Sequence, residues 1–78
     1  MFQVVKFLGE YRLQCGDSFV GTDHPGSDAR LVMAEEVIEK LPEYYQPERD
    51  SIGFVFPSHE AATLTLAQVT NRLWRTNR

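Results

Sequence analysis

The stretch Phe2-Gln3-Val4-Val5-Lys6-Phe7-Leu8-Gly9-Glu10-Tyr11-Arg12-Leu13-Gln14-Cys15 decides the fold. Residues that favour extended backbone crowd both sides of Gly9-Glu10, and a Gly-X pair between two such runs signals a two-residue hairpin turn of type II′, in which glycine takes the positive φ. Such a turn sets Leu8 opposite Tyr11, Lys6 opposite Leu13 and Val4 opposite Cys15. Side chains alternate along a strand, so one face collects Phe2, Val4, Leu8, Tyr11, Leu13 and Cys15, and the other carries Gln3, Arg12 and Gln14. The first is the expected core face. Val5 and Phe7 fall on the second, where they are either shielded by the chain's end or exposed for a partner.

Beyond Cys15, Gly16-Asp17 reads as a bulge or bend, with Ser18 to Gly21 continuing the second strand. Residues 22–28 (Thr-Asp-His-Pro-Gly-Ser-Asp) are dense in turn formers and form a loop, from which Ser27 or Asp28 can cap a following helix. Leu31, Ala34, Ile38 and Leu41 then recur at three- and four-residue spacing with Val37 beside them. Arg30, Glu35, Glu36, Glu39 and Lys40 fill the other side, with Glu36 and Lys40 as an i,i+4 pair. Pro42 ends this helix, because proline disfavours helical geometry at the residue before it. The segment 43–50 is a connection carrying Tyr44 and Tyr45, and two adjacent tyrosines cannot easily both point inward. Ile52 to Phe56 is a short β run closed by Pro57. Ser58 stands at an N-cap position, Glu60 favours the positive start of a helix, and Ala62, Leu66, Val69 and Leu73 repeat at helical spacing.

The expected fold is therefore α+β in the order β-β-α-β-α: a two-layer sandwich with a three-stranded sheet, made of the N-terminal hairpin plus one strand, and two helices packed on one face. Should the last strand lie parallel to the second, its connection through the first helix would be right-handed. At 78 residues the chain is one domain, 1–78, with a core too small to carry an expensive buried polar site. The single cysteine, Cys15, excludes an internal disulfide and a thiolate zinc cluster. No run approaches the length of a membrane span and the opening residues lack a signal-peptide layout, so the expected location is cytoplasmic, with no membrane contact.

Charge is unevenly placed around a net of −3. Glu10 to Asp50 holds ten acids and four bases, whereas Ala61 to Arg78 holds three arginines and no acid. Polar clusters that could carry chemistry are sparse. Gly16-Asp17-Ser18 resembles the nucleophile motif of the GDS-type esterases, but those enzymes need a longer chain and an Asp-x-x-His near the C-terminus, which the last eighteen residues lack. Asp23, His24 and Asp28, with His59 and Glu60, offer metal-ligand atoms without a diagnostic spacing. Cys15 belongs to the inward face with no histidine nearby in sequence, where a thiol behaves as a small apolar group.

Two surface constellations remain. Trp74 with Arg72, Arg75 and Arg78 combines the residue types enriched in protein-interface hot spots, and an indole between guanidinium groups can also stack on a nucleobase. The ordinary alternative is a helix end whose arginines complement the dipole and whose tryptophan covers the core's edge. Glu36, Glu39 and Glu43 beside Tyr44 and Tyr45 form either a solvated acidic face or a surface for docking on a basic partner. The expectation is a small non-catalytic binding or regulatory protein with no cofactor or metal. Its contact residues would be Tyr44, Tyr45, Glu36, Glu39, Glu43, Arg72, Trp74 and Arg75, and its partner an unidentified protein. A homodimer formed at an unpaired sheet edge would be one form of such contact. The alternative is a nucleic-acid-binding module using the C-terminal Arg/Trp helix, with a weak, salt-sensitive grip on phosphate.

Overall fold

The computed structural model describes residues 1–23 and 28–76, apart from the side chain of Thr76; His24, Ser27 and Arg78 lie outside the described residues. The N-terminal hairpin pairs β1 (Phe2–Phe7) with β2 (Glu10–Cys15) antiparallel, setting Phe7 opposite Glu10, Lys6 opposite Tyr11, Val4 opposite Leu13 and Phe2 opposite Cys15. The turn is thus Leu8-Gly9 rather than Gly9-Glu10. Both turn residues take positive φ, 55° at Leu8 and 77° at Gly9, the type I′ pattern whose twist suits a hairpin. The register moves by two residues, so each strand keeps its inward set. Leu8 alone changes role: it leaves the core face for the turn, where it is 72% exposed.

The chain next reverses at Gly16-Asp17, with Gly16 at φ 59°, instead of continuing β2. It enters β3 (Ser18–Phe19), which pairs antiparallel with β2 and completes the sheet order β1-β2-β3. The third strand therefore comes from 18–19 and not from the 52–56 run, and no crossover through a helix is needed to reach it. The late β run contributes only β5 (Phe54–Val55), hydrogen-bonded to β4 (Glu48–Arg49) in a separate two-stranded sheet. This small hairpin is stitched to the edge of β2 that β3 uses further along. Phe56 bridges Tyr11, its amide donating to the Tyr11 carbonyl at 2.9 Å, and the Phe54 amide donates to the Val20 carbonyl at 3.0 Å. Gly21 and Gly53 permit that approach. A Cβ on Gly21, already at φ 88°, would stand 2.5 Å from the Phe54 ring, and one on Gly53 would meet the Val20 carbonyl oxygen at 2.6 Å.

Helix α1 (Ala29–Glu39) starts at Asp28, whose side chain accepts from the Arg30 amide, and ends before Pro42 as expected. Its final carbonyls are satisfied from outside the helix: the Gln46 amide donates to Ile38 and Leu41 oxygens at 2.8 and 2.9 Å. Helix α2 (His59–Thr76) starts where Ser58 Oγ accepts from the Ala61 amide. It packs against β1 and β2, and α1 packs on it. Leu31, Ala34, Val37, Ile38 and Leu41 are all buried, together with Leu13, Cys15, Phe56, Ala62 and Val69. Thr65, also fully buried, satisfies its hydroxyl on the Ala61 carbonyl one turn back at 2.8 Å, which makes its burial affordable in a helix of modest propensity.

The second face of the hairpin is covered only in part. Arg12 is 2% exposed, as buried as the core leucines. Its guanidinium donates two bonds to Asp50, at 2.9 and 2.7 Å, and its Nε reaches the Phe7 carbonyl at 3.4 Å. Asp50 Oδ1 also accepts from the amides of Ile52 and Gly53, so one carboxylate holds both the turn between β4 and β5 and the cation beneath it. Phe7, partly exposed on this face, packs its ring against Phe19 at 5.3 Å.

Candidate docking surface

Helix α2 buries one side and presents the other. Thr63, Ala67, Thr70 and Trp74 recur at three- and four-residue spacing along its outward side, and with Asn71 and with Leu66, which also packs against the core, they line a shallow, mainly apolar groove. Trp74 stands at the end of this stripe with 65% of its surface exposed, and Met1, 93% exposed, lies at its edge. Around them Phe2, Leu73, Thr70 and Arg30 complete a second groove of about 380 Å³. Burying a tryptophan removes roughly 150 to 250 Å² from water, so an indole held in the open leaves a large apolar surface wet.

The expected contact residues divide between two places. Arg72 and Arg75 lie beside Trp74 on the last turns of α2, but Arg72 reaches across to α1, where Nη2 meets Glu36 Oε2 at 2.7 Å. That bond replaces the Glu36–Lys40 pair read from the sequence and joins the acidic and basic regions at their boundary. Lys40 instead lines a groove of about 290 Å³ with Arg72, Arg75, Gln68, Asn71 and Val37. Its place in that groove was missed because both residues of an i,i+4 pair lie on one helix, whereas Arg72 arrives from another.

Tyr44 and Tyr45 sit on a short 3-10 turn, Glu43–Tyr45. Tyr44 is exposed, its ring tilted by 56° against that of Tyr45 with centroids 4.4 Å apart, and Tyr45 packs against the core and donates its hydroxyl to Glu60 at the start of α2. That carboxylate raises the Tyr45 pKa, since ionised tyrosine would lose the bond and face a like charge. Glu39 and Glu43 are exposed nearby. The two tyrosines thus part as expected, one outward and one inward.

The residues weighed for chemistry are spoken for or scattered. Gly16-Asp17-Ser18 forms the reversal between β2 and β3, and Cys15 is buried in the core. Asp28 caps α1 and pairs with Arg30, which lowers its pKa, while His59 packs edge-on to Tyr11 at 5.3 Å. Among the described residues no cluster of His, Cys, Asp and Glu is placed to hold a metal ion, and no helix is long and apolar enough to cross a membrane. Compared with known proteins, this chain matches no family model, no curated relative and no solved structure.

Proposed function

We propose that this chain is a non-catalytic binding or regulatory protein that works by docking on another protein, with the outward face of α2 around Trp74 as its contact surface. The observation that carries the reading is the exposed indole at the end of an apolar helical stripe. Large aromatic side chains are kept out of water when nothing else asks for them, and hot spots draw on tryptophan flanked by arginine. The geometry adds small residues, Thr63 and Ala67, which let a partner approach the helix closely, and Met1 as an adaptable rim. Photo-crosslinking in the native cell tests it: a reactive residue placed at position 74 should trap a discrete adduct, while one at Asp17, exposed in the β2–β3 reversal, should not. Equal labelling from both positions, or none from 74, contradicts the reading.

The groove of Lys40, Arg72 and Arg75 supports a second reading, contact with the phosphates of a nucleic acid. Glu36 offsets part of that charge, so the grip would be weak and steeply salt-dependent. Binding of single- or double-stranded oligonucleotides at low salt that falls when Lys40 and Arg75 become alanine would support it; no binding to either at low salt removes it.

A further inference from the structure

The stripe on α2 is self-complementary, and we propose that its occupant is a second copy of this chain, paired antiparallel through α2 about a two-fold axis. This rests on the docking reading and names its partner. At 3.6 residues per turn, Glu60 and Arg75 fall on the same flank of the line through Thr63, Ala67 and Trp74, one near each end of the helix. A two-fold axis perpendicular to the helix, passing between Ala67 and Thr70, maps each flank onto itself and reverses the direction of the chain. It sets each Trp74 over Thr63 of the other copy and Ala67 beside Thr70. The same operation brings each Arg75 next to the other copy's Glu60.

Size and charge both fit that arrangement. The bulky end of the stripe meets the small-residue end, so each indole fills the space above Thr63 and Ala67 instead of colliding with its own symmetry mate. Arg75 forms no ion pair among the described residues. Glu60 is held in place by the Tyr45 hydroxyl on Oε1, and its Oε2 has no partner among the described residues. A parallel pairing would bring like ends together, so the charges select the antiparallel one. The stripe from Thr63 to Trp74 is only about 16 Å long at 1.5 Å per residue, so the association should depend on concentration instead of being obligate.

Sedimentation equilibrium over a rising concentration series reads this directly. The unaltered chain should move from 9.0 kDa toward twice that mass. Trp74→Ala and Arg75→Glu, both at exposed positions and checked for native helix content by circular dichroism, should each weaken association at least tenfold. The double variant Arg75→Glu/Glu60→Lys should recover most of the loss of Arg75→Glu. A chain that stays at 9.0 kDa throughout, or a dimer indifferent to both single variants, overturns the self-pairing. The crosslink at position 74 separates the two readings: an adduct with a different protein leaves the docking face standing and removes the second copy as its occupant, whereas no adduct removes both.

Discussion

The two sides of this molecule treat their unusual residues in opposite ways. Where β4 and β5 close over the hairpin, a charge is hidden: Arg12 is buried and held by both oxygens of Asp50. On the outward side of α2, apolar surface is displayed: Trp74 and Met1 stand in the open. A buried cation is tolerated only with its partner in place, so the first region answers to folding. An exposed indole gains nothing from the fold that displays it, which is why the proposed contact is placed on the second. Substitutions in the first region should therefore act on stability, and those in the second on association with little effect on stability.

The largest effect should come from Asp50→Ala, which leaves the Arg12 guanidinium enclosed without its counter-charge and releases the Ile52 and Gly53 amides from their acceptor. Its urea midpoint should fall further than that of any other variant considered. Arg12→Met should be milder, costing about 1 to 3 kcal/mol, because Asp50 left behind can turn to water. The same pair predicts acid sensitivity. Arg12 and the two turn amides hold the Asp50 carboxyl well below the usual aspartate range. A depressed carboxylate stabilises the fold fully above its unfolded pKa of about 4 and loses that contribution as pH falls below it, so urea midpoints should decline below that pH, and less so in Arg12→Met.

Next in size is Gly21→Ala, expected to cost about 2 to 3 kcal/mol, since the new methyl would meet the Phe54 ring at a positive φ. A midpoint equal to the unaltered chain's would mean that the β4–β5 hairpin does not pack there. Leu8→Asn should move the other way. Leucine at φ 55° is strained where asparagine is at ease, so the variant should gain about 1 kcal/mol in thermal or urea unfolding. Smallest is Trp74→Ala, which should change stability by less than about 0.5 kcal/mol. A loss of several times that would make Trp74 a core residue and erase the contrast between the two regions.

Periodicity made the helices legible. Leu31, Ala34, Val37, Ile38 and Leu41 specify α1 because burial of one helical side repeats at that spacing, and Pro42 and Ser58 mark an end and a start. The inward set of the hairpin was legible for the same reason, and it survives the misplaced turn because a shift of two residues preserves the faces. The turn itself was misread because Gly9 suits either the first or the second central position, and nothing local announces that Leu8 accepts a positive φ. The third strand hid in two residues, too few to show alternation. Arg12 was assigned to water because its partner lies 38 residues away. Val5 and Phe7 on the same face, read as either shielded or exposed, divide: Val5 is half-buried and Phe7 is 43% exposed. At the candidate surface, Trp74 and the arginines were visible as residue types. The stripe of Thr63, Ala67 and Thr70 was not, because small and polar residues mark no apolar period until the buried side of α2 is known.

Trp74 is the only tryptophan in the chain, so its fluorescence reports on the proposed contact without any label. Acrylamide quenching of its emission, measured from dilute to concentrated protein, tests most directly whether this side chain is displayed in order to be covered. The account predicts an indole freely quenched in dilute solution and progressively shielded, with a blue-shifted emission, as copies associate. An indole equally accessible in the monomer and in whatever assembly forms would contradict it.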